Sequence, residues 1–366
     1  MDKRKFIISG GGTGGHIFPA ISIANALKEK DPSCEILFVG AEGRMEMERV
    51  PAAGYPIVGL PIMGLPRKPS FKLLVFLRKW TQSKRKARRV IKKFSPDAVI
   101  GVGGYASGPI LKTASKMGIP TVIQEQNSYA GITNRLLARK AVRICVAYDK
   151  MDRYFPADKI VYTGNPVRKD LTLPHDPIDA KNFFKLKADK PVILILGGSL
   201  GARTLNQSIL AGLKKISNED VEIIWQTGKI YHKSILEEIG NNKPVNLHIM
   251  EFVSRMDMAF AAADLVISRA GAGTISELCL VGKPSILVPS PNVAEDHQTK
   301  NAMALVEKGA ALMIRDDEAV EKLIDATFAL IADKAKMENL SREILNLAKP
   351  DASNQIANII LEIVKK

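Results

Sequence analysis

The fold class is decided by a short apolar run that leads into a glycine loop, and the chain contains this unit twice. Residues 5–16 read KFIISGGGTGGH and residues 192–201 read VILILGGSLG, and a helical pattern follows each of them. Nearly continuous apolar runs of this length are typical of strands buried on both faces of a parallel sheet. The two stretches therefore predict two similar halves, each built around a strand, a glycine loop and a helix.

The alternation of strand and helix continues through both halves. Besides 5–9 and 192–196, apolar runs predict strands at 35–39, 98–102 and 121–124 and at 222–226, 265–268 and 285–288. Each half also holds a second glycine loop that follows a strand and precedes a helix, at 103–105 and at 271–273. We therefore expect an α/β protein with two Rossmann-like, doubly wound domains.

The turn-rich sequence Gly164-Asn165-Pro166 marks the expected domain boundary. We predict an N-terminal domain over residues 1–165 and a C-terminal domain over 166–345. The last helix has Asp351 as its predicted cap, and one of its faces is apolar, formed by Ile356, Ile359, Ile360 and Ile363. Because such a face must be covered, we expect residues 346–366 to cross back onto the first domain.

The composition excludes several classes of protein. The chain has 366 residues, of which 46% are hydrophobic and 25% charged, as in a folded protein of about two domains. No apolar run reaches the roughly 18 residues that a transmembrane helix needs. The glycine-rich stretch near the start makes a poor signal peptide, so we expect it to belong to the folded domain. Three widely spaced cysteines exclude a disulfide scaffold and a zinc ribbon: Cys34, Cys145 and Cys279.

The positive charge of the chain is concentrated in one segment. The formal net charge is +15, and residues 49–95 contain thirteen Lys or Arg and no Asp or Glu. One surface therefore meets an anionic partner, for which nucleic acid and anionic lipid are the two candidates. Aromatic residues that could stack on bases are few, which argues against nucleic acid.

The predicted helix in this segment has more apolar residues than one buried face requires. One face is expected to be core and comprises Leu73, Phe76, Leu77, Trp80, Ala87, Ile91 and Phe94. Phe71, Leu74 and Val75 lie roughly opposite, and cations surround them, namely Arg67, Lys68, Lys72, Arg78 and Lys79. Apolar residues ringed by cations favour docking to an anionic bilayer. A packed hairpin under a solvated charged face is the alternative.

The four glycine loops predict phosphate binding. Such loops present backbone N–H groups at the positive end of a helix. Gly10-x-Gly12-x-x-Gly15 also fits a dinucleotide fingerprint, and Glu42 follows the second strand, so a redox role stays open. Four loops in two paired domains fit two diphosphate ligands better.

Charged side chains near these loops are the candidate functional residues. His16 is a candidate for the reaction or for helix capping, and Glu125 for the reaction or for a solvated loop. Glu277 is placed either to accept two ribose hydroxyls or to cap a helix, with Thr274 and Ser276 as phosphate donors. Arg168 is either a diphosphate ligand or a surface arginine. The chain lacks a D-x-D motif, so we expect no metal, and no other cofactor is predicted.

Six segments together resemble the MurG family of bacterial glycosyltransferases. They are GGTGGHIFP at 11–19, GGYASGP at 103–109, EQN at 125–127, GNPVR at 164–168, GGSLGAR at 197–203 and the helix of Glu277. The resemblance covers essentially the whole chain. It implies a GT-B fold, in which two Rossmann-like domains face a central cleft. It also implies inverting, metal-independent transfer of N-acetylglucosamine from UDP-GlcNAc to lipid I, which yields lipid II for peptidoglycan. The family lies peripherally on the cytoplasmic face of the cell membrane and supports cell shape and division.

The resemblance further implies roles for single residues. The first domain would bind acceptor and membrane, and the second would bind UDP through the Val253 backbone at uracil and Glu277 at ribose. Diphosphate contacts would come from Arg168, Ser199 and the helix start Ala272, Gly273, Thr274, Ile275 and Ser276. Sugar contacts would come from Thr13, Gly14, Gly15, Asn127 and Gln298. Gly103 and Gly104 would receive the acceptor diphosphate, with His16, Tyr105 and Glu125 as catalytic residues. Residues 291–295 depart from the family pattern, and the general base stays open.

Three other functions remain as alternatives. A related transferase would glycosylate another membrane lipid such as diacylglycerol. A UDP-sugar epimerase would need neither an acceptor nor a membrane patch. A basic membrane-binding protein without activity would have no use for four phosphate loops.

Overall fold

The computed structural model describes residues 3–64, 72–168, 171 and 173–364. The chain divides into two compact units. The N-terminal unit comprises Met1–Val167 and Asp351–Lys366, and the C-terminal unit comprises Arg168–Pro350. Each unit is a parallel sheet flanked by helices, which confirms the prediction of two Rossmann-like α/β domains.

In the N-terminal unit the described residues form a seven-stranded parallel sheet in the order β3-β2-β1-β4-β5-β6-β7. The strands are β1 Lys5–Ser9, β2 Glu35–Ala41, β3 Ile57–Leu60, β4 Ala98–Gly101, β5 Thr121–Glu125, β6 Arg143–Val146 and β7 Ile160–Tyr162. The helices are α1 Gly14–Lys30, α2 Glu46–Ala52, α3 Lys72–Phe94, α4 Ser107–Lys116 and α5 Ile132–Leu137. Phe6 and Ile8 pack on one side of the sheet and Ile7 on the other.

The described part of the C-terminal unit repeats this plan with six parallel strands in the order β10-β9-β8-β11-β12-β13. The strands are β8 Val192–Leu196, β9 Glu222–Gln226, β10 Leu247–Met250, β11 Leu265–Ser268, β12 Ser285–Leu287 and β13 Leu312–Met313. The helices are α6 Pro177–Phe183, α7 Arg203–Ala211, α8 Leu213–Ile216, α9 His232–Ile239, α10 Met256–Ala262, α11 Ala272–Val281, α12 His297–Val306, α13 Ala319–Ala332 and α14 Lys334–Leu345.

The strand order fixes where ligands can bind. Across the first sheet the strand numbers fall to β1 and then rise from β4, and across the second they fall to β8 and then rise from β11. The order of the strands therefore reverses between β1 and β4 and between β8 and β11. In open α/β sheets, ligands bind at the carboxyl ends of the strands beside such a switch point. All four glycine loops follow these four strands.

The eight predicted strands are all present, and their ends differ from the predictions by at most two residues. Five strands were not predicted: β3, β6, β7, β10 and β13. These strands are short, and each includes residues that are not fully buried. They therefore lack the continuous apolar run that marks the central strands.

The last helix, α15 Ala352–Ile363, packs against α1. Ile356 and Ile360 are fully buried there, whereas Ile359 and Ile363 lie at the margin of the core. Asp351 is the N-cap residue, as predicted, but its carboxylate accepts a hydrogen bond from the Asn354 side chain (2.8 Å) and none from a helix N–H. No helix in the described residues is both long enough and apolar enough to cross a membrane.

We predict that Ile360→Ala destabilises the N-terminal unit by about 2–5 kcal/mol, because it leaves a cavity between α15 and α1. Urea unfolding of the full chain measures this free energy. Asn358→Ala, at an exposed position of the same helix, is the control and should change it by less than about 0.5 kcal/mol. Equal stability of the two variants would contradict the described packing of α15.

Candidate functional site

The two glycine loops of the N-terminal unit touch each other. A Cβ atom at Gly104 would lie 2.4 Å from the carbonyl oxygen of Gly11, and the φ angle of Gly104 is +76°. Only glycine meets both conditions at low cost. The loops after β1 and β4 therefore form one continuous backbone surface.

His16 and Tyr105 border this surface. The Nδ1 atom of His16 lies 3.2 Å from the Thr13 hydroxyl oxygen. The opposite edge of the imidazole borders Gly103, where a Cβ atom would come within 2.8 Å of the ring. The Tyr105 ring lies over Gly12, at 3.5 Å from the position of a Cβ atom there. The structure thus brings three predicted residues, Thr13, His16 and Tyr105, together around the two loops.

The start of α1 supplies backbone donors at the same place. Thr13 is the N-cap, and its carbonyl accepts from the N–H groups of His16 and Ile17. Gly14 and Gly15 are the first two helical residues, whose N–H groups have no acceptor within the helix. With the positive end of the helix dipole, they form a surface suited to an anion.

Glu125, at the end of β5, is buried rather than solvated, so the alternative of a loop carboxylate in solvent is wrong. Its two oxygens accept four hydrogen bonds, from Asn127 N (3.1 Å) and Nδ2 (3.3 Å), Gly131 N (3.0 Å) and Asn134 Nδ2 (2.8 Å). Burial raises the pKa of the Glu125 carboxyl, and these four donors oppose that shift. The carboxylate organises the loop that carries Asn127.

Sequence reasoning missed a set of buried amides behind this loop. Gln124 donates to Asn165 Oδ1 (2.8 Å), Asn165 donates to the Gln126 carbonyl (3.0 Å), and Gln126 donates to the Val102 carbonyl (2.7 Å). The chain of bonds ties β5 to the second glycine loop and to the end of the unit. The run Gln124-Glu125-Gln126-Asn127 at a strand end was the available signal.

In the C-terminal unit the third glycine loop is held by the segment after β9. A Cβ atom at Gly228 would lie 2.0 Å from the Gly201 nitrogen, and Lys229 N–H donates to the Ser199 carbonyl (3.1 Å). Ser199 itself is exposed. Its side chain is therefore at the loop surface, as a phosphate ligand requires.

The fourth glycine loop leads into α11, and its donors are fewer than predicted. The N–H groups of Ala272, Gly273 and Thr274 belong to the first helical turn, where no helical acceptor exists. Ile275 N–H already donates to the Gly271 carbonyl (2.9 Å), and the Ser276 hydroxyl donates to the Ala272 carbonyl (2.9 Å). The Ile275 N–H and the Ser276 hydroxyl are therefore donated within α11 in this structure.

Glu277 and Arg168 form an ion pair beside this helix start, with Arg168 Nε 3.2 Å from Glu277 Oε1. Glu277 is the sixth residue of α11 and lies beyond its first turn. The alternative of a helix-capping carboxylate is therefore wrong. The Arg168 side chain is 40% exposed and held by this ion pair, so it is neither buried nor loose in solvent. The two predicted ligands lie at one corner of the C-terminal unit.

Val253 and Gln298 are both engaged within the unit. The Val253 N–H donates to Gln226 Oε1 (2.9 Å), and Gln298 Oε1 accepts from Ser290 N–H (2.8 Å). The Gln298 bond closes the loop at residues 291–295, which departs from the family pattern and in which Glu295 has a φ angle of +55°. Because the Val253 N–H is used in this bond, a nucleobase could hydrogen-bond to Val253 through its backbone carbonyl.

Comparison of the sequence with models of known protein families identifies the family of the chain. The N-terminal domain of glycosyltransferase family 28 matches residues 6–146, and the C-terminal domain of that family matches residues 192–356. The chain belongs to glycosyltransferase family 28. The resemblance that the motifs predicted is confirmed.

Individual proteins and solved structures similar to this family 28 chain are consistent with the family assignment. A Bacteroides fragilis protein named UDP-N-acetylglucosamine–N-acetylmuramyl-(pentapeptide) pyrophosphoryl-undecaprenol N-acetylglucosamine transferase is 56% identical and covers 100% of this chain and 97% of its own length. The solved structure of Acinetobacter baumannii MurG has a TM-score of 0.80 at 31% identity and covers 99% and 100% of the two chains. A UDP-GlcNAc 2-epimerase from Neisseria meningitidis, with a TM-score of 0.68 at 17% identity and coverage of 99% and 100%, shares the fold only.

The family 28 chain also exposes an apolar surface on α3. Leu74 is 65% exposed and Val75 47% exposed, as predicted. Leu73 and Leu77 were assigned to the core face, but they are exposed too, since the core contacts of this helix come from Ala87 and Ile91 nearer its end. Arg67, Lys68 and Phe71 lie outside the described residues, as does the side chain of Lys72.

Sequence reasoning missed a second exposed apolar pair in the same unit, on α5. Leu136 is 79% exposed and Ile132 is exposed on the same short helix, with Arg135, Arg139 and Lys140 beside them in sequence. α4 packs against both α3 and α5, so the three helices lie side by side. The apolar pair one helical turn apart at 132 and 136 was the signal in the sequence.

We predict that Glu125→Gln loosens the loop over residues 127–131, because the new NH₂ group faces N–H donors that need an acceptor. Hydrogen exchange at the Gly131 amide should become faster, and stability should fall by about 1–3 kcal/mol. Glu48→Gln, at an exposed position of the same unit, is the control. Unchanged exchange at Gly131 would show that the carboxylate does not hold the loop.

Proposed function

We propose that this glycosyltransferase transfers N-acetylglucosamine from UDP-GlcNAc to the undecaprenyl-diphosphate-linked N-acetylmuramyl-pentapeptide, lipid I, and so forms lipid II. The observation that carries the proposal is the 56% identity, along the whole chain, with a relative named for this reaction. Anion-binding loops in both units support it, because donor and acceptor are both diphosphates. No nucleic acid partner is proposed.

The C-terminal unit binds the donor in this proposal. Arg168 and the first N–H groups of α11 face the donor diphosphate, together with Ser199 from the third loop. They stabilise the negative charge that develops on UDP as the bond from sugar C1 to the phosphate oxygen breaks. Glu277 accepts hydrogen bonds from the ribose hydroxyls while Arg168 keeps it oriented. The Val253 carbonyl contacts the uracil ring, and Gln298 contacts the sugar.

The N-terminal unit binds the acceptor. The N–H groups of Gly14 and Gly15, with the second glycine loop at Gly103 and Gly104, receive its diphosphate. The acceptor hydroxyl oxygen attacks C1 from the face opposite UDP, which inverts the configuration, and the hydroxyl proton leaves to a base. His16 either positions the acceptor diphosphate or assists this deprotonation. Tyr105 borders the same surface, and Glu125 is a positioning residue that holds Asn127.

The proposed reaction uses no metal ion and no cofactor. The ends of α1 and α11 and the Arg168 guanidinium supply positive potential where a metal would otherwise stand. In the described residues, His, Cys, Asp and Glu side chains form no cluster of three that could hold a metal ion.

Product analysis tests the proposed function. The full chain is incubated with UDP-GlcNAc and a lipid I analogue in EDTA, and the products are identified by mass spectrometry. We expect one N-acetylhexosamine to be added to the analogue. Transfer to diacylglycerol alone, or epimerised UDP-sugar formed without acceptor, would assign the chain to one of the alternative functions. Loss of turnover in EDTA that Mg²⁺ or Mn²⁺ restores would overturn the metal-independent mechanism.

We predict that Glu277→Ala lowers kcat/KM for UDP-GlcNAc by roughly 10–100-fold, since it removes charge-assisted hydrogen bonds to ribose. Steady-state kinetics with the acceptor saturating measure the effect. Glu343→Ala, a change on α14 of the same unit, is the control for a lost carboxylate. A donor kcat/KM equal to that of the control would remove Glu277 from the binding site.

We also propose that α3 and α5 dock the chain on the anionic surface of a membrane, at its cytoplasmic face where the lipid-linked acceptor is presented. Exposed leucines at positions 73, 74, 77 and 136 would enter the interface. Arg78 and Lys79 of α3, Arg135 of α5, and Arg139 and Lys140 just after α5 would contribute about 1 kcal/mol each near anionic headgroups. Both helices belong to the N-terminal unit, which also carries the acceptor-binding loops. Docking of these helices would therefore hold that unit at the membrane.

We predict that Leu74→Glu with Val75→Glu releases the chain from vesicles that contain anionic lipid, while turnover of a water-soluble acceptor analogue stays nearly unchanged. Wild-type binding should weaken with salt, because the Debye length is about 10 Å at 0.1 M, but should not vanish. Vesicle sedimentation measures both effects.

Leu236→Glu with Val245→Glu provides the matched control, since both residues are exposed in the C-terminal unit. It should leave vesicle binding intact. Equal binding of wild type to neutral and anionic vesicles, or normal binding by the α3 variant, would contradict the membrane surface proposed here.

A further inference from the structure

The carboxylate of Glu46 is buried beneath the first glycine loop. Glu46 is the first residue of α2, which follows β2 after a short turn, and its exposure is 0%. Burying an ionised carboxylate is costly unless donors surround it. The resemblance to the family motifs gave no role to this residue.

Both carboxylate oxygens of Glu46 accept hydrogen bonds from the backbone. Oε2 accepts from Gly12 N–H in the first glycine loop (3.0 Å), and Oε1 accepts from Ala41 N–H at the end of β2 (2.9 Å). Among the described residues, no Lys, Arg or His forms an ion pair with it. One side chain thus joins the loop after β1 to the end of the neighbouring strand.

Two glycines make room for this carboxylate. A Cβ atom at Gly11 would lie 2.1 Å from Glu46 Oε1, and one at Gly40 would lie 2.5 Å from Glu46 Cγ. Gly40 is in β2, outside the glycine loop. A side chain at position 11 or 40 would therefore collide with Glu46, which explains why both residues are glycine without reference to a ligand.

The bond to Gly12 sets the direction of the loop. Gly12 has a φ angle of +90°, and its N–H donates to Glu46, while a Cβ atom at this position would lie 3.5 Å from the Tyr105 ring. The chain then reaches Thr13 and the first N–H groups of α1, which form the anion surface. A glutamine at position 46 could accept only one of the two bonds, and its NH₂ group would oppose the other donor.

We propose that Glu46 is a positioning residue that holds the first glycine loop in the shape needed to bind the acceptor diphosphate. The inference rests on the proposed function, in which this loop serves the acceptor. It assigns to Glu46 no contact with either substrate. Its loss should therefore affect the acceptor side selectively and leave binding of the donor in the C-terminal unit unchanged.

The test compares Glu46→Gln with Glu48→Gln, an exposed glutamate two residues along the same helix. In the full chain, Glu46→Gln should lower kcat/KM for a lipid I analogue by roughly 10–100-fold, the effect expected for a lost hydrogen bond to a charged group. The dissociation constant for UDP, measured by calorimetry, should stay within about twofold of the control. Acceptor kinetics equal to those of Glu48→Gln, or equal losses on the donor and acceptor sides, would overturn the proposal.

A second variant keeps the test decisive if Glu46→Gln folds poorly. Gly40→Ala pushes on the Glu46 side chain from β2 without altering the loop, and it should produce the same acceptor-selective loss. Hydrogen exchange at the Gly12 amide gives a readout independent of activity and should become faster in both variants. If wild type transfers no sugar to the lipid I analogue, the proposed function fails. Glu46 is then judged by the Gly12 amide alone, where unchanged exchange overturns its role.

Discussion

The close approach of backbone to backbone at the carboxyl ends of the central strands is the constraint on which both units depend. In the N-terminal unit the loops after β1 and β4 meet where Gly104 faces the Gly11 carbonyl. In the C-terminal unit the loop after β8 meets the segment after β9 where Gly228 faces Gly201. Any side chain at these contacts would push the loops apart. The peptide N–H groups would then no longer converge on an anion.

The two units support similar loops with different electrostatics. The N-terminal unit buries two carboxylates, Glu46 and Glu125, whose hydrogen bonds come from uncharged N–H and amide donors. The C-terminal unit also buries two carboxylates, Glu222 and Asp257, but beside its fourth glycine loop it pairs charges at less buried positions, Arg168 with Glu277 and Arg269 with Asp316. Buried carboxylates shape a loop without reaching the ligand, whereas half-buried pairs can turn toward one. In the proposed function, the two buried carboxylates of the N-terminal unit hold loops of the acceptor site, and the Arg168–Glu277 pair lies at the donor site.

How far the sequence predicts this protein depends on how far each feature is local. The central strands and glycine loops are contiguous in sequence, so runs such as Val192–Leu196 are recognisable directly. The exposed apolar residues of α3 were found by periodicity, but Leu73 and Leu77 were placed in the core because periodicity does not tell where a helix leaves its sheet. Glu46 gave no signal, since its partners, Gly12 and Ala41, come from other elements. The internal hydrogen bonds of the Ser276 hydroxyl and the Val253 N–H gave no signal for the same reason, since their acceptors cannot be recognised in the sequence.

The central claim is that the C-terminal unit binds the donor and the N-terminal unit binds the acceptor. Hydrogen exchange of the full chain with saturating UDP, followed by mass spectrometry, tests it most directly. We expect slower exchange in peptides covering 197–201 and 271–277, with no change at 10–16 and 103–105. Protection by UDP at 10–16 and 103–105, without protection at 271–277, would contradict it.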